Sequence, residues 1–123
     1  MTVRPSTAGD MAPTVRRLSR DFQALRAVVR LRILAALAAG ESNVADLGAA
    51  LRISQPLLSW HLKELRLAGF VESQPQRVGR EVLYRLAPER FRELWADLEA
   101  LVGFSIADTP SQAASILPEE VEA

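Results

Sequence analysis

Apolar and polar positions between Ile53 and Val71 separate onto two sides of one helix. Leu58, Leu62 and Leu65 recur at spacings of four and three, while Ser59, Trp60, Lys63 and Leu67 take the other side, the pattern of an amphipathic helix. Ser54 is placed to cap its start, with a side-chain oxygen available to an unpaired first-turn amide, and Pro56 is tolerated where amides lack intrahelical partners. Gly69 predicts the end, as a residue able to take positive φ, and Phe70 supplies the apolar contact that accompanies such a cap.

The same period runs upstream. From Pro13, the positions Val15, Leu18, Phe22, Leu25 and Val29 follow steps of three and four, predicting an amphipathic helix with Arg16, Arg17 and Arg20 mostly off its stripe. A second helix is predicted over Val28 to Ala39, with Leu31, Leu34 and Leu37 or Ala38 inward and Gly40 ending it. The pattern leaves the boundary between these two helices open. Asn43 and Asp46 have capping-box-like spacing, which predicts a short third helix from about Val44 to Leu51. The link Arg52 to Ser54 then gives helix, tight turn, helix, in which the first helix braces and the second enters a DNA major groove.

After Gly69 the period becomes extended. Phe70 to Arg77 and Glu81 to Leu86 read as two strands around Val78, Gly79 and Arg80. Pro75 cannot donate to a ladder, so the first strand must be an edge or bend there. Pro88 opens a final helix with Phe91, Leu94, Trp95, Leu98, Leu101 and Val102 on one side. The expected fold is mainly α with a small β-hairpin, a winged helix-turn-helix in the order α-α-α-α-β-β-α.

Composition narrows the chemistry. With 123 residues and 49% apolar content, one domain can build its core without disulfides or metal. The absence of cysteine excludes thiolate metal sites, thiol redox switches and cysteine nucleophiles. The longest apolar run, Ile33 to Ala39, is far too short to span a membrane and no secretory signal is present, so a soluble cytoplasmic protein without a membrane partner is expected. The net charge of zero hides a polarity: residues 1–86 carry 13 basic against 7 acidic residues, and residues 87–123 carry 2 against 8. A nucleic-acid face followed by an acidic tail would give this asymmetry. Arginine supplies fourteen of the fifteen basic residues, a bias that genomic base composition explains better than phosphate recognition. The expected organisation is a flexible arm over 1–10, a winged-helix DNA-binding domain with flanking dimerisation helices over 11–104, and an acidic, mobile tail over 105–123.

The segments LRILAALAAGE, VADLGAAL, ISQPLLSWHLKELRLAGFVES and GREVLYRL resemble, in order and spacing, the arsenic-repressor (ArsR/SmtB) family of bacterial transcriptional regulators. The resemblance covers about residues 22–103. It implies a homodimer, joined chiefly through the first and last helices, that represses promoters by binding an imperfect inverted repeat. The amphipathic stripes on those helices agree, since together they exceed what a minimal winged-helix core must cover; an intramolecular core alone is the other reading. Two-fold symmetry would set the reading helices about 34 Å apart, facing half-sites about 10 bp between centres. Val15, Leu18, Phe22, Phe91, Leu94, Trp95, Leu98 and Val102 are the candidate dimerisation residues.

Departures from the family bear on its metal sites. Metal-sensing members carry a Cys-x-Cys pair in the third helix, where this chain has Asn43 to Leu47 without cysteine. Others bind zinc through Asp and His on the last helix, where Glu93, Asp97 and Glu99 have no histidine nearby. Carboxylates alone make a poor transition-metal site, so a solvated acidic face is expected, with no metal and no cofactor. The family's Asp-Pro-Thr before the second helix is replaced by Ala27, Val28 and Val29, which leaves that helix start without its usual marker.

Candidate DNA-binding residues are Ser54, Gln55, Ser59, Trp60, His61, Lys63, Arg77 and Arg80. A first-turn Gln55 can pair with adenine and Ser59 can adapt to either kind of base. Lys63, one turn further on, would meet phosphate and add affinity rather than discrimination. Trp60 could pack on sugar or a thymine methyl, or contact protein within the dimer. His61, the only histidine, flanks the apolar stripe, where a structural hydrogen bond or a phosphate contact is favoured over metal ligation. Arg77 and Arg80 are set for a wing touching backbone or minor groove. Arg85, Arg16, Arg17 and Arg20 could extend a phosphate track or pair with the acidic last helix.

The leading function is a DNA-binding regulator, a repressor acting as a homodimer on operator DNA, with an effector that the residues do not identify. The alternative is a winged helix used for protein association or dimerisation without DNA binding. No glycine-rich phosphate loop or convergent carboxylate pair suggests an enzyme.

Overall fold

The computed structural model describes residues 11–75 and 81–103. Seven elements follow one another: α1 (Ala12–Leu25), α2 (Val28–Ala38), α3 (Val44–Leu51), α4 (Gln55–Leu67), β1 (Val71–Pro75), β2 (Val82–Leu86) and α5 (Pro88–Val102). This is the order expected of a winged helix-turn-helix. The predicted arm, acidic tail and hairpin tip, with Arg77 and Arg80, lie outside the described residues.

The boundary that periodicity left open falls at Arg26 and Ala27, where Ala27 turns extended (φ −72°, ψ 135°). Val29 therefore belongs to α2. Ala27 provides no side-chain cap, and the junction is tied instead by Arg30, whose Nη1 donates to the Ala24 carbonyl at 3.0 Å. The inward face of α2 departs from expectation. Ile33 and Leu37 are buried and Leu34 half-buried, but Ala38 is exposed and Leu31 is 52% exposed. Nine of the eleven residues from Val28 to Ala38 are apolar and only Arg30 and Arg32 interrupt the run, so the pattern alone does not orient the helix.

Asn43 caps α3 as predicted, its Oδ1 accepting the Asp46 amide at 2.7 Å. The helix ends at Arg52, which adopts the left-handed region at φ 58°, and the Ile53 amide returns to the Gly48 carbonyl at 3.1 Å. Gly48 permits this turn: a β-carbon there would lie 3.1 Å from the Ile53 carbonyl oxygen.

Ser54 occupies the N-cap of α4 with extended backbone (ψ 148°), yet its side chain makes no capping bond. That corrects the expected hydroxyl cap, and Pro56 accounts for one of the two amides it could have served. A cap oxygen reaches the second or third helical amide, and the second position here has none. The other end matches expectation. Gly69 takes φ 92°, its amide meets the Arg66 carbonyl and the Phe70 amide meets the Leu65 carbonyl, both at 3.0 Å, the paired bonds of a Schellman cap.

β1 and β2 pair antiparallel from Val71↔Leu86 to Pro75↔Val82. On its other side β2 meets Ser42 through reciprocal bonds with Tyr84 at 2.8 and 3.0 Å. β1 is thus the edge strand, the position Pro75 requires. Leu18, Ile33, Leu37, Leu47, Leu58, Leu62, Leu65, Phe70, Val71 and Leu94 form one continuous core, drawing on every element except β2, whose Tyr84 and Leu86 pack against it.

One buried ion pair locks α1 to α5. Asp21 is 4% exposed and accepts from both Nη atoms of Arg90. Arg90 also donates through Nε to the Ala68 carbonyl at 3.1 Å and lies over the Phe70 ring at 4.4 Å. It therefore joins the end of α4 to both flanking helices.

Candidate nucleic-acid interface

The division of α4 into two faces is complete at its centre. Leu58, Leu62 and Leu65 have 0% exposure, while Gln55, Ser59 and Lys63 are exposed on the opposite side with Ser54 beside them. Burying a leucine side chain contributes roughly 1.5–3 kcal/mol, so the three together hold the helix against α2 and α3 and leave its polar residues to solvent. The face carries a cation at Lys63, amide and hydroxyl groups at Gln55 and Ser59, and no acidic side chain before Glu64. Such a surface can donate to phosphate and to base edges.

Trp60 is 51% exposed, as placed by the pattern, and is held from one side: the Arg30 guanidinium sits 5.2 Å from its ring centroid. His61 is buried, and its Nδ1 accepts from Arg30 Nε at 3.1 Å. The imidazole also meets Trp60 edge-on at 4.8 Å. Its buried place and protein partner favour the structural hydrogen bond over a phosphate contact. Burial, reinforced by the Arg30 charge and only partly opposed by Glu64, pulls its pKa below the ordinary value. A neutral ring with Nδ1 unprotonated is what the Arg30 bond requires.

The wing is rooted rather than independent. Asn43 Nδ2 donates to Glu81 at 3.2 Å, and Arg85 pairs across the strands with Glu72 at 2.9 Å, so Arg85 is engaged within the hairpin. Arg17 binds both oxygens of Asp97 at 3.0 Å. These bonds hold the Asp97 carboxyl below its usual pKa and raise that of Arg17. Of the two roles left open for the α1 arginines, Arg17 therefore takes the ion pair with the last helix. No cluster of three or more His, Cys, Asp or Glu side chains suited to a metal occurs among the described residues.

The candidate dimerisation residues divide. Leu18 and Leu94 are covered within the chain, and Phe91 and Leu98 are partly covered. Val15, Phe22, Trp95 and Val102 remain nearly half exposed, with Leu101 beside them. The α1 and α5 stripes thus pack on each other along their buried line and leave one apolar flank uncovered.

Sequence reasoning missed Arg30, Asp21, Arg90 and Gly48. Arg30 and Asp21 occupy positions beside apolar stripes, a faint signal, whereas nothing local marks the Arg30–His61 or Asp21–Arg90 partnerships.

Residues 28–73 match the family described as bacterial regulatory protein, arsR family. The chain is 43% identical over 82 residues to the HTH-type transcriptional repressor SmtB of Mycobacterium tuberculosis, covering 67% of this chain and 59% of that relative. It is 32% identical over 93 residues to the biofilm growth-associated repressor of Xylella fastidiosa, covering 76% of this chain and 80% of the relative. The crystal structure of the transcriptional regulator HlyU from Vibrio vulnificus superposes with a TM-score of 0.60 at 31% identity, over 71% of this chain and 90% of that one. Fold order, the faces of α4 and these likenesses agree: the chain belongs to the arsR family of bacterial regulatory proteins.

Proposed function

We propose that this protein is a transcriptional repressor that binds operator DNA as a homodimer, with α4 as its reading helix. The observation that carries this reading is the face of Gln55, Ser59 and Lys63, exposed in a row above a fully buried leucine stripe. Gln55 and Ser59 would read base edges and Lys63 would meet phosphate. Arg77 and Arg80 would add wing contacts. Second-copy association is supported by the uncovered apolar flank of Val15, Phe22, Trp95 and Val102, a surface that water does not favour and symmetry can bury.

The test is binding to duplexes from its own promoter, followed by fluorescence anisotropy across a salt series. Each phosphate contact should contribute a slope of about −0.9 in log affinity against log salt. Lys63→Ala should weaken binding to all duplexes and flatten the slope by about one unit per reading helix, whereas Gln55→Ala should lose roughly 1–3 kcal/mol of discrimination at one base position. Salt-independent binding, or unchanged binding after alanine at Gln55, Ser59 and Lys63, would overturn the assignment in favour of a protein-association module.

A further inference from the structure

Beside the C-terminal half of α4 lies an open groove of about 720 Å³, walled by α1, the α1–α2 junction and the start of α5. Small-ligand sites span roughly 300–1,000 Å³. Five arginines line this one against two carboxylates. Arg90 is matched by Asp21 and Arg17 by Asp97. Arg20 and Arg26 are exposed, and neither has an acidic partner within ion-pair distance among the described residues.

Arg30 carries the argument further. Among the described residues its guanidinium meets uncharged groups: it donates to His61 Nδ1 and the Ala24 carbonyl and lies over the face of Trp60. A cation withdrawn from water gains most from a counter-charge, and none lies at ion-pair distance among the described residues. The planar forks of three arginines on one groove suit a multiply charged oxyanion, which they can hold through paired hydrogen bonds.

The groove is also separate from the uncovered apolar flank. On α1, Arg17, Arg20 and Asp21 lie on one side of the buried Thr14–Leu18 line and Val15 and Phe22 on the other. On α5, Arg90 and Asp97 lie on one side of Leu94, with Trp95 and Val102 on the other. At 3.6 residues per turn these flanks diverge by well over a right angle, so a second copy seated on the apolar flank leaves the groove open.

We propose that this groove binds a small multiply charged oxyanion, a phosphate ester or polycarboxylate, through Arg20, Arg26 and Arg30, and that binding is read out on α4 through Arg30. The anion competes with His61 and Trp60 for the Arg30 guanidinium. Trp60 borders the Ser59–Lys63 face, so withdrawal of Arg30 alters the support of that face. Regulation of DNA affinity rests on the proposed function; anion binding does not.

The experiment uses the full chain carrying Trp95→Phe, so that fluorescence reports Trp60 alone, titrated with sodium citrate and with sodium pyrophosphate at ionic strength matched by sodium chloride. At least one probe should give a saturable fluorescence change and a higher Tm. The pair Arg20→Gln with Arg26→Gln, both at exposed positions, should weaken that response at least tenfold, and Arg16→Gln, off the groove, should leave it unchanged. A response that chloride reproduces, that survives the double substitution, or that Arg16→Gln also removes overturns the site. If the double substitution instead weakens duplex binding and leaves the anion response intact, the arginines serve DNA phosphate and the proposal fails. Duplex binding is measured with Trp95 intact, and its absence there with a persistent anion response would sink the repressor reading and leave the site standing.

Discussion

Replacing Asp21 with alanine should be among the most damaging single changes outside the leucine core. The Asp21 side chain is 6% exposed, and its removal strands the Arg90 guanidinium between α1, α4 and α5. Losing one member of a buried pair costs about 3–5 kcal/mol when the survivor is fully enclosed. Arg90 is not: its side chain keeps 25% exposure, and Nη1 lies 3.9 Å from Glu93. Partial rehydration and that second carboxylate bring the expected loss to about 2–3 kcal/mol. The pairwise part is isolated by urea unfolding of Asp21→Ala, Arg90→Met and the double variant, at one protein concentration so that any self-association is held fixed. Arg90→Met also loses the Ala68 bond and the Phe70 contact, and these cancel in the cycle. A coupling of about 1.5–2.5 kcal/mol is expected, and it should persist in 1 M salt because burial limits screening. The Glu72–Arg85 pair is the internal reference. Its side chains are 51% and 53% exposed, so its coupling should be about 0.5 kcal/mol or less and should vanish in salt. An Asp21–Arg90 coupling no larger than that of the exposed pair, or one erased by salt, would refute the reasoning.

Two further outcomes follow from α3 and α4. His61 has a folded-state pKa below its unfolded value, so the unfolded chain takes the proton first; stability is full above the unfolded value of about 6.5 and declines as pH falls towards the folded one. Urea midpoints between pH 7.5 and 5.5 should therefore fall for the native chain more than for His61→Gln, and equal slopes would remove the buried neutral imidazole from the account. Gly48→Ala would ordinarily stabilise a helix by up to about 1 kcal/mol, but the new β-carbon would meet the Ile53 carbonyl at 3.1 Å. Thermal unfolding should show no gain and a modest loss, with weaker duplex binding as the α3–α4 turn shifts; a higher Tm would show that the turn relaxes freely.

Periodicity made α4 legible because its leucines, its glycine and its polar face are all local signals. The Schellman bonds at Gly69 and the Asn43 cap follow from residue type and position, and both are present. Where several chemistries fit one position, local reading was less secure. Ser54 has the right side chain for a cap, but Pro56 removes one of the amides it could serve. In α2 the nearly unbroken apolar run left Leu31 and Ile33 indistinguishable by pattern, and packing chose Ile33. The groove was not legible at all. Its decisive contacts join residues 31, 69 and 80 positions apart, and a single sequence marks the faces of a helix without naming what meets them.

The reciprocal bonds between Ser42 and Tyr84, with Asn43 reaching Glu81, make the root of the hairpin part of the same solid body as α3. Since α3 is fastened to α4 through the Gly48 turn, the base of the hairpin and α4 form a single claw. A claw of this kind does not adjust its grip finger by finger. In a symmetric pair, adaptation to different duplexes would then come from the distance and tilt between two heads as well as from the support beneath each α4 face.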